Sequence, residues 1–339
     1  TPSNSSAASD VYKRQVYLDG DNDLEAGAIQ DFLEMASVGS TQQVRIVVMF
    51  DRTPRFDRSY GDWTGTRRGI IRAGDVPDAS WGEDLGEANM GDPQTLVEFI
   101  EWAVQNYPAS HYALVLWDHG SGWRAPADDK TTAFKAVCWD DSSGSDMLEM
   151  RELRQALQAV EATVGQFDVI AFDACVMGMV EVAYEIRSHA QVMIASPAVE
   201  PTSGWPYETI LGNLQDQLPA DAFAFGRLVV QAYETAYSRA WTLAAADLGM
   251  VDALAERADS LARALREGWN VNPLACVAAA EDLMDCLSTV IIAETHGTRW
   301  PGSHGLAVYF PQTPAEFSSE YNGCLLYTSP SPRDLSTSR

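Results

Sequence analysis

The stretch DVIAFDACVMG, at residues 168–178, decides the fold and holds the first candidate for chemistry. Its apolar run VIAF is typical of a parallel strand that is buried on both faces. The run stops at Asp173, and apolar residues at helical spacing follow over 179–186. A polar residue between a buried strand and a helix lies at the carboxyl edge of a sheet, where open α/β sheets bind ligands. Cys175 is therefore a candidate nucleophile, although a buried cysteine is more often ordinary packing.

Strand and helix patterns alternate along the rest of the chain. We predict further strands at residues 16–18, 44–50, 112–117, 192–196, 241–246 and 305–311. A hairpin is predicted at 63–72, and one of the intervening helices at 277–294. This alternation predicts an α/β fold in which a mostly parallel sheet is covered by helices on both faces.

The two ends of the sequence differ in character from the rest. SSAASDVYKRQ at 5–15 and CLLYTSPSPRDLSTSR at 324–339 resemble translated sequencing-adaptor DNA from a metagenomic assembly, and neither has an apolar period. Such scars are excluded from fold reasoning. We therefore predict a single, truncated native domain over residues 16–323, with residues 1–15 and 324–339 foreign to it. A signal region would lie outside this fragment.

Composition excludes several classes of partner. The formal net charge of −25 repels nucleic acid and anionic lipid and favours cationic partners. The sequence has no apolar run near the ~20 residues that a membrane span needs. Of the 5 cysteines, Cys324 lies in the C-terminal tail, and the others show neither a CxxC pair nor metal-ligand spacing. We predict no nucleic-acid partner and no membrane span in this fragment.

A cysteine nucleophile needs a base and donors for the oxyanion. His119 is the one histidine that directly follows a predicted buried strand, residues 112–117, and Gly120 comes next. The carboxyl ends of neighbouring parallel strands lie on one edge of the sheet, so His119 and Cys175 are expected to approach each other. Gly120 has no side chain to keep a substrate carbonyl from its backbone N–H.

Two motifs resemble those of a known family. LWDHGSGW at 116–123 and FDACVMG at 172–178 resemble the catalytic blocks of the clostripain family of cysteine peptidases. DNDLE at 21–25 resembles the start of that family and residues 306–311 its late strand, so the similarity covers nearly all of 16–323. The resemblance implies the caspase-like fold of gingipains and legumains, a three-layer sandwich. It also implies a bacterial cysteine endopeptidase that is secreted or held in the cell envelope.

The same resemblance implies roles for individual residues. His119 would handle the proton, Cys175 would form a thioester acyl-enzyme, and the N–H groups of Gly120 and Cys175 would form the oxyanion hole. Family members commonly cleave after Arg or Lys, and Asp173 matches the acidic residue of their specificity pocket, where charge-assisted bonds would hold a substrate cation. Glu200 is a second pocket candidate. The alternative for Asp173 is to cap the helix after Cys175. Proteins or peptides with basic residues are the expected partners.

Some family members are zymogens that cut themselves between the two blocks. The bond between Lys135 and Ala136, in the loop over 123–146, best matches that position. We hypothesise that Lys135 fills the acidic pocket until cleavage. The alternative is an ordinary solvated lysine.

No metal site is predicted. Asp19, Asp21 and Asp23 alternate as in a calcium loop, but Leu24 stands where the EF-hand pattern has glycine. Capping of the helix that follows is the preferred interpretation. We predict that no cofactor is required. Because some relatives respond to calcium, activation by this ion is kept as an alternative, with no ligands assigned.

Two other functions compete with the peptidase. A phosphatase of the haloacid-dehalogenase type would use Asp19 as nucleophile, Asp21 as acid/base and Mg²⁺ as cofactor, but it explains neither His119 nor Cys175. A catalytically inactive module could keep the fold to bind cationic peptides. The presence of both His119 and Cys175 argues against that module.

Overall fold

The computed structural model describes residues 12–123, 136–237, 240–311, 313, 321 and 324–328. The strands in chain order are β1 (Tyr12–Gly20), β2 (Val44–Arg52), β3 (Gly65–Ile70), β4 (Glu83–Gly86), β5 (His111–Trp117), β6 (Ala136–Asp140), β7 (Asp146–Glu149), β8 (Phe167–Asp173), β9 (Ala190–Ala195), β10 (Leu243–Asp247) and β11 (Ile291–Thr295). The helices are α1 (Glu25–Val38), α2 (Pro93–Asn106), α3 (Met150–Val164), α4 (Val180–Ile186), α5 (Tyr207–Asp216), α6 (Ala222–Tyr237), α7 (Val251–Glu267), α8 (Pro273–Val290) and α9 (Leu325–Thr328).

One large sheet organises the described chain, with the strand order β11-β10-β9-β8-β5-β1-β2-β3-β4. The central strands β2, β1, β5, β8 and β9 pair in parallel. Antiparallel strands complete both edges, β3 and β4 on one side and β10 and β11 on the other. A small separate sheet joins β6 to β7.

Successive residues of the central strands face opposite layers of helices, as a buried parallel sheet requires. Leu114 belongs to a buried cluster with Phe99 of α2 and Leu153 of α3. Val115, the next residue of β5, belongs to a second cluster with Phe32 of α1. Helices α5 and α6 contribute to that second cluster, and α4 to the first. The predicted α/β fold with helices on both faces is confirmed.

The register of β5 and β8 determines where the candidate residues lie. Trp117 pairs with Asp173, and the Asp118 N–H donates to the Asp173 carbonyl at 3.2 Å. His119 and Cys175 therefore each stand two positions beyond a paired residue, at the same edge of the sheet.

The first strand begins at Tyr12, earlier than residue 16, where the sequence predicts it. Backbone pairing with β2 and β5 continues through these residues, because strand pairing needs only main-chain groups. Arg14 and Gln15 are thereby buried, and none of their side-chain nitrogen or oxygen atoms has a hydrogen-bond partner. The foreign origin of residues 1–15 and 324–339 stays a prediction.

Three local predictions were wrong. Residues 63–72 form no hairpin but contain the single strand β3, which lies between β2 and β4. The end of the helix predicted at 277–294 is instead the strand β11, since β-branched residues there suit an edge strand as well as a helix. Residues 305–311 form no strand, and Ala307 among them makes an isolated bridge to Met179.

Within the described chain, none of the helices has the length and apolarity to cross a bilayer.

Candidate active site

Cys175 lies in a strained turn directly after β8. The next residue, Val176, has φ 54°, a conformation that is rare and costly for a β-branched side chain. The Val176 N–H donates to the Ala198 carbonyl at 2.9 Å and holds the turn in place. The Cys175 Sγ is half-buried and accepts a hydrogen bond from the Glu200 N–H at 3.3 Å. The loop after β9 therefore fixes the thiol position.

The surroundings of Cys175 favour the protonated thiol. Burial raises the pKa of Cys175, and the carboxylates of Asp173 and Asp118 raise it further, while the bond from the Glu200 N–H opposes this change. A thiol with a raised pKa needs a base before it can act as a nucleophile.

His119 follows β5, and its side chain contacts Asp23, which lies in the loop after β1. Its Nε2 lies 2.7 Å from Asp23 Oδ1, and both side chains are accessible to solvent. When Nε2 carries the proton that Asp23 accepts, Nδ1 of the neutral ring is left as a proton acceptor. The described residues give no hydrogen bond between this imidazole and the Cys175 thiol. Asp23 was not predicted as a partner of His119.

Gly120 lies where the loop after β5, which carries His119 and is called the histidine loop, packs against the turn after β8, which carries Cys175. A Cβ at this position would lie 2.5 Å from the Cys175 carbonyl oxygen and 2.9 Å from Ala174 Cβ. Both distances are too short for any side chain, so this close approach requires glycine. Gly120 also forms a bridge to Val137, next to the start of β6.

Asp118, in the loop after β5, connects this loop to the loop after β1 and to strand β6. Its carboxylate accepts a hydrogen bond from Asn22 Nδ2 at 2.7 Å and another from the Trp139 N–H. Burial raises the pKa of Asp118 to about 7. Asn22 Oδ1 also accepts from the Leu24 N–H at 2.9 Å, so it supports the turn before α1. The sequence alone did not indicate this role for Asp118.

Asp173 and Glu200 form an acidic pair beside the thiol. Asp173 Oδ2 accepts hydrogen bonds from Tyr207 Oη at 2.9 Å and from the Trp205 N–H at 3.2 Å. Glu200 Oε2 accepts from Trp205 Nε1 at 2.8 Å. The residues are only 5% and 9% exposed, respectively. Asp173 does not cap α4, whose N-cap is Met179, so the capping alternative for Asp173 was wrong.

The two pocket carboxyls affect each other's ionisation. Burial raises the pKa of Asp173 to about 6, while hydrogen bonds from Tyr207, the Trp205 N–H and Glu200 limit the rise. Burial raises the pKa of Glu200 well above its usual range, and the Asp173 charge raises it further. Near neutral pH, these shifts favour a neutral Glu200 beside an ionised Asp173, so the pair carries about one negative charge.

The remaining predictions concern the self-processing bond and the phosphatase alternative. Ala136 is the first residue of β6, whereas Lys135 falls outside the described residues, so the predicted cleavage site stays a prediction. Asp19 is 0% exposed, and burial raises its pKa well above the usual range. A buried, protonated carboxyl is poorly suited to act as a phosphatase nucleophile.

Comparisons with known proteins identify the family to which this chain is similar. A family model described as the clostripain family matches residues 16–299. Clostripain from Hathewaya histolytica is 31% identical over 223 residues, which are 59% of this chain and 41% of that protein. The chain thus spans about two fifths of the length of this curated relative.

Solved structures show the same fold. A secreted C11 cysteine protease from Bacteroides thetaiotaomicron, solved with an irreversible peptide inhibitor, superposes with a TM-score of 0.70 at 18% identity and covers 94% of this chain and 98% of its own. An inactive zymogen C11 protease from Parabacteroides distasonis gives a TM-score of 0.60 at 22% identity, with 90% and 93% covered. At these identities the likeness concerns the fold alone. The family match over residues 16–299 shows that this chain belongs to the clostripain family of cysteine peptidases.

Proposed function

We propose that this protein is a cysteine endopeptidase that cleaves peptide bonds after Arg or Lys. One observation carries the proposal: the N–H of Glu200 contacts Cys175 Sγ at 3.3 Å, while the Glu200 side chain and the buried Asp173 carboxylate both accept hydrogen bonds from Trp205. A nucleophile and a buried anionic group are thus joined by one residue. A substrate whose carbonyl reaches the thiol can therefore place a cationic side chain against the carboxyl pair.

The reaction begins when His119 accepts the Cys175 proton. The sulfur attacks the substrate carbonyl carbon, and the backbone N–H groups of Gly120 and Cys175 stabilise the developing oxyanion. His119 then returns its proton to the leaving amine, the C–N bond breaks and a thioester remains. Water, activated by the same imidazole, hydrolyses the thioester and regenerates the thiol.

Selection of basic residues follows from the acidic pair. A substrate guanidinium or ammonium would pair with the ionised Asp173 carboxylate beside Glu200, because a buried carboxylate is stable when a cation pairs with it and its other bonds are kept. Tyr207 Oη and the Trp205 N–H already hold Asp173 in place. The pocket is therefore organised before substrate arrives.

We further propose that the whole protein is secreted as a zymogen and cuts itself between Lys135 and Ala136. One structural relative is described as secreted and another as an inactive zymogen. β6 begins at Ala136 and reaches the bridge to Gly120 through Val137. A cut at this position would release a segment that adjoins the histidine loop.

A panel of fluorogenic peptides that differ only in the residue before the cleaved bond tests the activity. We expect turnover after Arg and Lys, a loss of at least about 10³-fold in kcat/KM for Cys175→Ala, and a selective loss for the basic substrates in Asp173→Asn. Turnover of the basic substrates by Cys175→Ala would refute the nucleophile. A preference for Asn or Asp substrates would refute the pocket assignment and leave the nucleophile intact.

Self-processing is tested by the mass of the fragments. We expect the parent protein to yield two fragments that end and begin at Lys135 and Ala136, and Cys175→Ala to remain whole. Lys135→Ala should block the cut, and the matched control Lys130→Ala should not. Identical fragments from Cys175→Ala would show that another protease makes the cut.

A further inference from the structure

Asp31 is a buried acid in α1 that the reaction described above does not use. It is 0% exposed and stands among buried apolar residues of the same helix, such as Ile29 and Phe32. Its Oδ2 accepts a hydrogen bond from Trp117 Nε1 at 2.6 Å, whereas its Oδ1 has no partner among the described residues. A buried carboxyl oxygen without a partner is unfavourable, so this acid needs an explanation.

The bond to Trp117 places Asp31 on the side of the sheet to which Asp173 points. Trp117 and Asp173 are register partners in the parallel strands β5 and β8, so their side chains point to the same face. The contacts agree with this, because Trp117 belongs to the buried cluster that includes α1, and Asp173 accepts a hydrogen bond from Tyr207 of α5. Asp31 therefore meets the sheet beside the pocket acid.

The loop that carries Glu200 contacts both acids. Gly204 in this loop has φ 60°, and a Cβ there would lie 2.2 Å from Asp31 Oδ2 and 3.0 Å from its Cγ. The backbone thus rests directly on the Asp31 carboxyl, and both the conformation and the space require glycine. The next residue, Trp205, donates its N–H to Asp173 Oδ2 at 3.2 Å. Asp31 and Asp173 are therefore in contact with consecutive residues of one loop.

The two carboxyls also affect each other electrostatically. Burial raises the pKa of Asp31 well above its usual range, and the charge of Asp173 raises it further, while the bond from Trp117 opposes this change. The neutral form of Asp31 is therefore favoured in the free protein. A cation that contacts both carboxyls would stabilise the ionised form of each.

We propose that Asp31 is a third carboxyl of the specificity pocket and selects arginine over lysine, an inference that rests on the proposed function. A guanidinium has five N–H donors in a planar fork, whereas an ammonium has three donors on one atom. Asp173 Oδ2 already accepts two hydrogen bonds, so a guanidinium at Asp173 keeps N–H groups for a second acid. The Oδ1 of Asp31 accepts one of them. An ammonium is held by Asp173 and Glu200 alone.

Binding of two small cations to Cys175→Ala protein tests this role without turnover. Butylguanidine carries the cationic group of arginine, and pentylamine carries that of lysine. In calorimetric titrations we expect butylguanidine to bind at least about tenfold more tightly, as one additional charge-assisted hydrogen bond implies. Adding Asp31→Asn should weaken butylguanidine binding about 10- to 100-fold and pentylamine binding by less than about threefold.

The pattern of losses separates selection from support of the loop. Asn keeps the size of Asp31 and an oxygen that can accept from Trp117, so a purely supporting role would change both affinities by the same factor. Glu34→Gln is the matched control, because it removes the same charge from the same helix. The Glu34 carboxylate accepts from Gln30 Nε2 on the exposed side of α1, and its variant should leave both affinities unchanged.

The possible failures of the two proposals can be told apart. Equal affinities for the two cations in the Cys175→Ala protein, or equal losses in Asp31→Asn, would overturn the role of Asp31 and leave the acidic pocket in place. Binding of neither cation would overturn the pocket and this inference with it. The comparison of the two cations in the Cys175→Ala protein remains decisive if Asp31→Asn fails to fold.

Discussion

Asp23 shows how the site depends on a single bond between distant segments. It lies just before α1, yet its carboxylate is 2.7 Å from Nε2 of His119. This bond favours the ring tautomer whose Nδ1 can accept the thiol proton. Because both side chains are partly solvated, the bond contributes orientation more than stability.

Replacing Asp23 with Asn should therefore reduce turnover more than binding. We expect kcat for an Arg substrate to fall about 10- to 100-fold with KM nearly unchanged, measured by steady-state kinetics. Asp252→Asn is the matched control, since Asp252 is also an exposed carboxylate that bonds a cation, Arg187, at 2.7 Å. A parent-like kcat in Asp23→Asn would remove Asp23 from the mechanism.

The acidic pair predicts a pH dependence of its own. The pKa of Asp173 is raised to about 6, so the carboxyl becomes neutral as pH falls below that value and loses its attraction for a cation. The affinity of Cys175→Ala protein for agmatine should therefore be steady above pH 7 and fall up to about tenfold per pH unit below 6. Calorimetry measures this without turnover. Adding Asp173→Asn to the Cys175→Ala protein should make the agmatine affinity independent of pH. An affinity that does not change with pH in the Cys175→Ala protein alone would contradict the assignment.

At the scale of elements, β1 is the central support of the site and also carries buried polar groups that have no hydrogen-bond partner. It lies between β2 and β5 and ends in the loop that carries Asp21, Asn22 and Asp23. Gln15 in this strand is 0% exposed, and its amide has no hydrogen-bond partner. Such a group destabilises the core because it gives up hydrogen bonds with water and gains none.

Gln15→Met should accordingly stabilise the protein. The side chains are similar in size, so the free energy of unfolding should rise by about 1–3 kcal/mol, measured by urea denaturation. Gln43→Met, at an exposed position before β2, should change it little. Destabilisation by Gln15→Met would indicate that the amide has a role that these contacts do not reveal.

The site residues that could be predicted from the sequence are those that come directly after a run of apolar residues typical of a buried strand. Cys175, Asp173, His119 and Gly120 each follow an apolar run, and a parallel sheet brings the ends of such runs to one edge. Glu200 was a weaker candidate because it stands in a loop. Its N–H contact with Cys175 depends on how that loop folds back.

Other features depend on strand order, which the local pattern does not contain. The bond between Asp23 and His119 requires β1 to lie beside β5. The carboxyl oxygens of Asp21, Asp51, Glu87 and Asp140 lie within 4.8 Å of one another because β2 and β6 approach the end of β1. Glu87 follows an irregular segment in which even the strands were predicted incorrectly. Spacing along the chain therefore could not reveal either arrangement.

At the scale of the whole molecule, one edge of the sheet concentrates the candidate chemistry. The loops after β1, β5, β8 and β9 contribute Asp23, His119, Cys175 and Glu200. Val137 of β6 forms a bridge to Gly120 at the same edge. Helices pack on both faces of the sheet behind this edge. A net charge of −25 further favours the approach of cationic substrates, so the rate of encounter should fall with added salt.

The central claim is that Cys175 is a nucleophile next to a pocket for basic side chains. Labelling with a lysyl chloromethyl ketone tests both parts, because the sulfur displaces chloride and leaves a stable thioether that peptide mapping can locate. Cys286 is also partly accessible and serves as an internal control. We predict that Cys175 alone is alkylated and that the uncharged norleucyl reagent reacts at least about tenfold more slowly, as the loss of a charge-assisted bond implies. Label on Cys286 at the same rate, or equal rates for the two reagents, would contradict the account.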